Sequence, residues 1–157
     1  MSPMLQKIEI RHDYKAGDLG HIIRMHGEMY NYGKEFEFYV GESLSDFFKH
    51  QNPEKERFWI AELNGWIVGS ICLKKADDWA QLRYLLLDER VRGIGLGKRM
   101  IDLFMTFMKE CGYQKSFLLT EKQLNTAANL YEKLGYQYVS STFTDFGLEE
   151  RRYELVL

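Results

Sequence analysis

The spacing of hydrophobic and polar residues predicts that the chain begins with a strand followed by two helices. Residues 7–12 alternate between apolar and polar side chains, which is typical of a half-buried strand. Apolar residues then recur at helical spacing after Asp18 and again in residues 36–50. We expect Asp18 to cap the first helix, and residues 31–33 (Asn-Tyr-Gly) to end it.

The clearest local pattern is a hairpin in the middle of the chain. Residues 58–63 (FWIAEL) and 66–73 (WIVGSICL) flank the pair Asn64 and Gly65, which favours a two-residue type I′ turn. After a polar turn, residues 79–87 form another apolar segment of strand length. These segments are therefore predicted to form three consecutive antiparallel strands.

The second half of the chain is predicted to alternate between helices and strands. One amphipathic helix is expected from Lys98 to Cys111, and a second opens within residues 121–125 and ends at Gly135. Strands are expected at residues 115–120, 136–140 and 151–156. A helix connects residues 79–87 to residues 115–120, so these two strands should be parallel, with a right-handed crossover. The predicted fold is α/β: one domain over residues 1–157, with a mixed, mostly antiparallel sheet of six to seven strands flanked by about four helices.

The composition narrows the class of protein without identifying its function. The 157 residues are 45% hydrophobic and 28% charged, as in an ordinary globular protein, and the net charge of −2 does not favour nucleic-acid binding. With only Cys72 and Cys111, a disulfide framework is not expected, and the reducing cytoplasm fits better. The N-terminus lacks the pattern of a signal peptide, and no apolar run approaches the roughly 20 residues of a membrane span. We therefore expect a cytoplasmic protein with neither a membrane nor a nucleic-acid partner.

The segment between the third strand and the next helix has the pattern of an anion-binding loop. Gly93, Gly95 and Gly97 alternate in residues 91–100 (VRGIGLGKRM), where backbone N–H groups and a helix N-terminus can face one anion. A P-loop is excluded because Arg99 follows Lys98, where that motif needs serine or threonine. A dinucleotide-binding fingerprint is disfavoured, because the spacing is G-x-G-x-G and three antiparallel strands precede it. A tight turn without a ligand is the remaining alternative.

Two motifs resemble those of the GNAT N-acetyltransferase superfamily. Arg92-x-x-Gly95-x-Gly97 resembles its pattern Q/R-x-x-G-x-G/A, and residues 125–136 (NTAANLYEKLGY) resemble its N-x-x-A-x-x-L-Y-x-x-x-G-F/Y helix, with one residue fewer between Asn125 and Leu130. The order of elements is also similar over nearly the whole chain. Residues 26–38 are similar to a group of these domains that are sometimes fused to winged-helix regulators.

The resemblance implies acetyl-CoA as the acetyl donor. Its pantetheine arm would run along the strand that ends at Leu85, Leu86 and Leu87, and a backbone N–H near Leu86 or Leu87 would stabilise the oxyanion. Asn125 would hydrogen-bond the cofactor, although an asparagine there can also be the N-cap of the last helix. The residues expected to hold the pyrophosphate are Arg92, Gly93, Ile94, Gly95, Leu96, Gly97 and Lys98.

The same resemblance makes Tyr131 the candidate general acid, with a core tyrosine on an apolar helix stripe as the alternative. The general base is left open by the sequence. Glu28 is slightly favoured, because it lies in the region that covers the acceptor site in this superfamily, but exposed carboxylates are usually solvated surface groups, and this is the stronger alternative for each candidate. The other candidate carboxylates are Glu35, Glu37 and Glu62. No metal site is expected, because His21 and His26 have a poor helical spacing for sharing an ion.

Three functions remain open at this point. The first is an acetyl-CoA-dependent N-acetyltransferase that acts on a small-molecule amine or on a protein or peptide amine. The second is a non-catalytic domain that binds or senses acyl-CoA, and the third is an interaction protein with an aromatic partner surface. The terminal strands could also pair two copies into a homodimer.

Overall fold

The computed structural model describes residues 2–121, 125–145 and 147–157, without the side chains of residues 125–128. From β1 onward, the helices and strands follow one another in the predicted order. In sequence they are α1 (Pro3–Lys7), β1 (Glu9–Arg11), α2 (Asp18–Tyr30), α3 (Lys34–His50), β2 (Arg57–Leu63), β3 (Trp66–Ala76), β4 (Trp79–Leu87), α4 (Leu96–Glu110), β5 (Lys115–Glu121), α5 (Asn125–Lys133), β6 (Gln137–Phe143) and β7 (Glu149–Val156). A short 3-10 helix, Glu89–Val91, connects β4 to the glycine loop.

The strands form a seven-stranded mixed sheet in the order β1-β2-β3-β4-β5-β7-β6. Neighbouring strands are antiparallel except β4 and β5, which are parallel. The α/β class and the mixed, mostly antiparallel sheet are therefore confirmed. The parallel pair lies at the centre of the sheet, with antiparallel neighbours on both sides.

The helices cover the two faces of the sheet in two separate layers. The side chains of β2 alternate between them: Phe58 and Ile60 pack against α2 and α3, while Trp59 and Ala61 pack in the core beneath α4. Tyr131 of α5 belongs to the α4 core as well. Below, these two sides of the sheet are called the α2–α3 face and the α4–α5 face.

Most local predictions are confirmed. Asn64 and Gly65 both have positive φ, 53° and 82°, as a type I′ turn requires. The prediction that Asp18 caps α2 is wrong, because Gly17 occupies the N-cap and no side chain caps the helix. The buried Asp18 carboxylate instead accepts hydrogen bonds from the partly buried Arg11 guanidinium, at 2.8 and 2.9 Å, which ties the start of α2 to β1.

Helix α1 adds a fifth helix to the four that the sequence predicts. Its five residues are too few for a helical period to be visible in the sequence. Leu5 of α1 is buried in the α4–α5 core, and its Cδ2 atom would lie 3.5 Å from a Cβ atom at Gly95. Helix α1 therefore packs against the glycine loop. In the described part of the chain, no helix has both the length and the apolar character needed to cross a membrane.

Candidate functional site

The central feature of the sheet is a gap between β4 and β5. The two strands pair at Ala80 with Ser116 and as far as Leu82 with Leu118, and pairing ends there. Strand β4 nevertheless continues to Leu87, and β5 continues to residue 121. The strands therefore diverge toward their carboxyl ends, the end at which open α/β sheets bind ligands.

A β-bulge accompanies the divergence. Ser70 pairs with Leu86 and Cys72 pairs with Arg83, so two residues of β4 stand opposite a single residue of β3. One of the two, Tyr84, has a φ of 53°, which is uncommon for a residue other than glycine. The bulge bends β4 where it leaves β5. Strand β4 is thus held by β3 on one edge, while its other edge faces the gap.

The glycine loop lies at the end of β4 and leads into α4. None of the backbone N–H groups from residue 93 to residue 98 donates a hydrogen bond within the described part of the chain. Gly93 and Gly95 have φ values of 76° and 94°, and Gly95 is an N-cap without a side-chain hydrogen bond. No acidic residue stands in the first turn of α4. This local structure fits a bound anion, because N–H groups and the helix dipole are directed at it without competition from a carboxylate.

Gly97 and Arg92 fix the loop against the end of β4. A Cβ atom at Gly97 would lie 3.0 Å from Cδ1 of Leu87, so any larger residue would force the Leu87 side chain to shift, and glycine allows this close approach of helix and strand. The Arg92 Nε–H donates to the Leu87 carbonyl at 3.1 Å. Leu85 and Leu87 pack toward the α4–α5 face, whereas Leu86 is buried on the α2–α3 face. The structure thus brings the predicted loop residues and the predicted strand residues into one region.

Tyr131 reaches the gap from the α4–α5 face. Its side chain is only 6% exposed, and its hydroxyl makes no hydrogen bond among the residues that the structure describes. By contrast, the Tyr136 hydroxyl is bonded to Ser116. Burial raises the pKa of Tyr131, and the neighbouring Tyr30, Tyr136 and Glu121 raise it further. The phenol therefore keeps its proton at neutral pH.

Aromatic rings from α2 and β4 approach the same gap from the α2–α3 face. The rings of Tyr84, His26 and Tyr30 follow one another at centroid distances of 5.7 and 5.9 Å, and Tyr30 stacks on Tyr32 at 5.7 Å. Burial raises the pKa of Tyr30 to about 12, with Glu121 contributing. His26 is buried with a lowered pKa, chiefly because burial disfavours its charged form. The tyrosine rings of this row pack on the α2–α3 face, on the side of the sheet opposite the α4–α5 core that contains Tyr131.

The predicted base Glu28 lies in a different depression. Its carboxylate is 63% exposed and accepts a 2.8 Å hydrogen bond from Arg24. The depression has a volume of about 450 Å³ and includes Trp66, Asp88 and Arg90 among its lining residues. Tyr131 does not line it. Glu28 therefore stands apart from the other predicted catalytic residue.

Asn125 is the first residue of α5, and its side chain lies outside the described residues, so its predicted role stays a prediction. The residues that the sequence patterns do not single out are Arg83, Glu121 and Glu150, whereas Tyr30 and Tyr32 are candidates for lining the acceptor pocket or for core packing. The position of Glu121 offered one usable signal, because it directly follows the apolar strand predicted for residues 115–120. No such signal marks Arg83 or Glu150.

A mixed sheet that opens between two parallel strands, beside a loop whose N–H groups have no acceptor among the described residues, is an arrangement that can hold an anionic ligand. The sequence profile of the acetyltransferase (GNAT) family matches residues 22–136. Because this match covers most of the chain, the protein belongs to that family, whose members use acetyl-CoA as the acetyl donor.

Known relatives and solved structures agree with this assignment. N-acetyltransferase 8 of Mus musculus is 29% identical over 94 residues, which are 56% of this chain and 41% of that protein. An acetyltransferase from Streptococcus agalactiae has a TM-score of 0.79 at 23% identity, covering 97% of this chain and 99% of that one. An acetyltransferase from Bacillus anthracis in complex with acetyl coenzyme A has a TM-score of 0.61 at 24% identity, covering 71% and 68%. At these identities the solved structures show a shared fold, and the matched segment spans less than half of the mouse relative.

Proposed function

We propose that this protein is an N-acetyltransferase that transfers the acetyl group of acetyl-CoA directly to a primary amine. The observation that carries the proposal is the row of backbone N–H groups from residue 93 to residue 98 without a described acceptor, beside strands that diverge after Leu82 and Leu118. A pyrophosphate would satisfy these donors, and the open edge of β4 could pair with an extended arm. The Bacillus anthracis neighbour, which contains acetyl coenzyme A, supports this choice of ligand.

The proposed donor site has two parts. Residues 92–98 would hold the pyrophosphate through their N–H groups and the positive end of the α4 dipole. Residues 85–87 would border the pantetheine arm, because the edge of β4 that faces the gap has no strand partner there. Asn125 is proposed to hydrogen-bond the cofactor from the start of α5.

The thioester supplies an already activated acetyl group, so the protein has to bind, orient and move protons. In the proposed reaction an uncharged amine attacks the thioester carbonyl, a C–N bond forms and the C–S bond breaks. A backbone N–H near Leu86 or Leu87 would stabilise the negative charge on the carbonyl oxygen. Tyr131 would donate its phenolic proton to the leaving thiolate. Glu28 is the base that the sequence favours for taking the amine proton.

The acceptor is proposed to be a primary amine on a small molecule, a peptide or a protein. N-acetyltransferase 8 and the other relatives with that activity in their names support nitrogen as the acceptor atom. Both cysteines of the chain are free, which supports the proposed location in a reducing cytoplasm.

Binding and turnover measured on the same preparation test this proposal. Titration calorimetry with acetyl-CoA should show binding, and release of free CoA thiol should require an amine from a panel of polyamines, amino acids, aminoglycosides and peptides. Tight binding without thiol release for any amine would favour a non-catalytic sensor. Absence of binding would reject the proposed donor site.

A further inference from the structure

We propose that Glu121 is the general base of the transfer, and that Glu150 is a positioning residue that acts through Glu121. This inference rests on the proposed function, because it assigns the proton acceptor of that same reaction. It concerns two carboxylates that face each other across the sheet beside the gap.

The register of the strands places Glu121 at the gap. It is the last residue of β5, beyond the point at which β5 and β4 stop pairing. Along β5, Leu118 is buried in the α4–α5 core, and side chains alternate between faces, so Glu121 points to the α2–α3 face. That face carries the rings of Tyr30 and Tyr84. The carboxylate therefore borders the cleft from the side opposite Tyr131.

The surroundings of Glu121 suit a base rather than a structural ion pair. Its side chain is half-buried, and it makes no ion pair with a described residue. Burial raises the pKa of Glu121, its own backbone N–H lowers it, and the charge of Glu150 raises it again. The net effect is a raised pKa, and a base works best when its pKa lies near the operating pH.

Glu121 is also electrostatically coupled to both tyrosines. Its charge contributes to the raised pKa of Tyr30 on α2 and of Tyr131 on α5. Tyr131 is more than nine-tenths buried, and no described residue accepts or donates a bond at its hydroxyl. An amine and a thioester sulfur that met in the gap would thus have a base on one side and an acid on the other.

Every proton and bond in the proposed transfer step is accounted for. The attacking nitrogen forms the amide bond and gives its proton to the Glu121 carboxylate. The thioester C–S bond breaks, and the sulfur takes its proton from the Tyr131 hydroxyl. Proton exchange with solvent then restores both side chains, so no oxidant, reductant or further reactant is needed.

Glu150 pairs with Glu121 in the β5–β7 register, so the two side chains lie side by side on the same face. Burial raises the pKa of Glu150, and Arg83 on β4 lowers it. Arg83 itself donates to the Tyr39 hydroxyl at 3.2 Å and stacks on the Tyr84 ring. Arg83 thus favours the charged form of Glu150. The negative charge of Glu150 in turn raises the pKa of Glu121, which makes Glu121 a stronger base.

The test compares four variants by the pH dependence of kcat at saturating acetyl-CoA and one fixed amine. The variants are Glu121→Gln, Glu150→Gln, Glu28→Gln and the control Glu154→Gln. Glu154 lies on the same face of β7, about 13 Å from Glu150 at about 3.3 Å per residue. That distance exceeds the screening length of about 8 Å at physiological ionic strength. Calorimetry with acetyl-CoA and a thermal melt confirm that each variant folds.

Glu121→Gln should lower kcat by about 100-fold or more while the Kd for acetyl-CoA stays within about twofold. It should also abolish the rise of kcat with pH that reports ionisation of the base. Glu121→Asp should restore part of the activity. Glu150→Gln should keep activity at high pH and move the rise to lower pH. The sign follows because removal of a neighbouring negative charge lowers the pKa of Glu121, so it is deprotonated at lower pH.

Two results would overturn the inference. One is a wild-type pH profile and kcat for Glu121→Gln, and the other is loss of the rise in Glu28→Gln alone, which would make Glu28 the base. A Glu150→Gln profile that matches that of Glu154→Gln would remove the role of Glu150. If the wild-type protein binds acetyl-CoA but acetylates no amine, the proposed function itself fails, and this outcome is visible before any variant is compared.

Discussion

Tyr131 and Tyr136 are buried neighbours, with ring centroids 6.2 Å apart, yet their hydroxyls differ. The Tyr136 hydroxyl is bonded to Ser116, whereas the Tyr131 hydroxyl has no described partner. Loss of a buried hydrogen bond costs stability, whereas loss of an unbonded hydroxyl does not. The two residues therefore form a matched pair for separating a catalytic role from a structural one.

We expect Tyr131→Phe to lower kcat by about 100-fold or more, the usual effect of removing a general acid. Its affinity for acetyl-CoA and its stability should change little. Tyr136→Phe should do the reverse, with a near wild-type kcat and an unfolding free energy lower by about 1 kcal/mol. Steady-state kinetics, calorimetry and chemical denaturation measure these quantities. An unchanged kcat in Tyr131→Phe would leave it as a packing residue.

Individual side chains also show which parts of the candidate site the sequence patterns could predict. The proposed role of Tyr131 follows from its place in a motif that spans one helix. The proposed role of Glu121 could not be predicted in this way, because it depends on Glu150 and Tyr30, which come from other elements. The sequence favoured Glu28 by its region of the chain, and the structure finds it exposed and paired with Arg24. Burial and neighbouring charge set the proton affinity of a carboxylate, and neither can be seen locally.

Among the elements, the glycine loop and the first turn of α4 are encoded partly by local sequence and partly by packing. The loop is locally encoded, because alternating glycines followed by an amphipathic stretch predict a strand, a loop and a helix. How closely the loop packs against β4 is not locally encoded, because the contact of Gly97 with Leu87 depends on how helix and strand pack. The proposed anion-binding role of the loop can be tested separately from the effect of backbone strain on stability.

Gly93 and Gly112 have similar backbone conformations, with φ values of 76° and 84°, and open space where a Cβ atom would stand. Alanine at either position should lower the unfolding free energy by about 1–2 kcal/mol, because both would hold a left-handed conformation. Only Gly93→Ala should also weaken acetyl-CoA binding, by about tenfold, since it alone lies in the proposed pyrophosphate loop. Calorimetry and denaturation of both variants decide this. Equal affinity in the two would argue against the loop as the anion site.

In the complete sheet, β6 is an edge strand, and among the described strands it pairs only with β7. All seven of its residues are exposed, and its sequence contains neither a charge nor a proline. Tyr138, Val139 and Phe143 are 50%, 47% and 71% exposed. Natural edge strands usually carry charges or prolines that prevent pairing with another sheet. We therefore propose that β6 pairs with a second copy of the chain.

Sedimentation velocity should then find a homodimer at micromolar concentration. Val139→Lys should shift it toward the monomer, because a charge on the edge opposes strand pairing. Phe38→Lys is the matched control, since Phe38 is 60% exposed on α3, away from this edge, and should leave the association unchanged. A wild-type monomer at all concentrations, or equal effects of both variants, would contradict pairing along β6.

The amino-acid sequence alone was enough for the order of helices and strands after α1, the Asn64–Gly65 turn, the loop before α4 and the family. Each of these follows from short-range spacing, which shapes the local backbone before any distant contact forms. Packing was needed for the divergence of β4 from β5 after Leu82, the bulge at Tyr84, and the electrostatic coupling of Tyr131 to Glu121. Strand pairing and the environment of a charge depend on partners far along the chain, and no local pattern records which partners will meet.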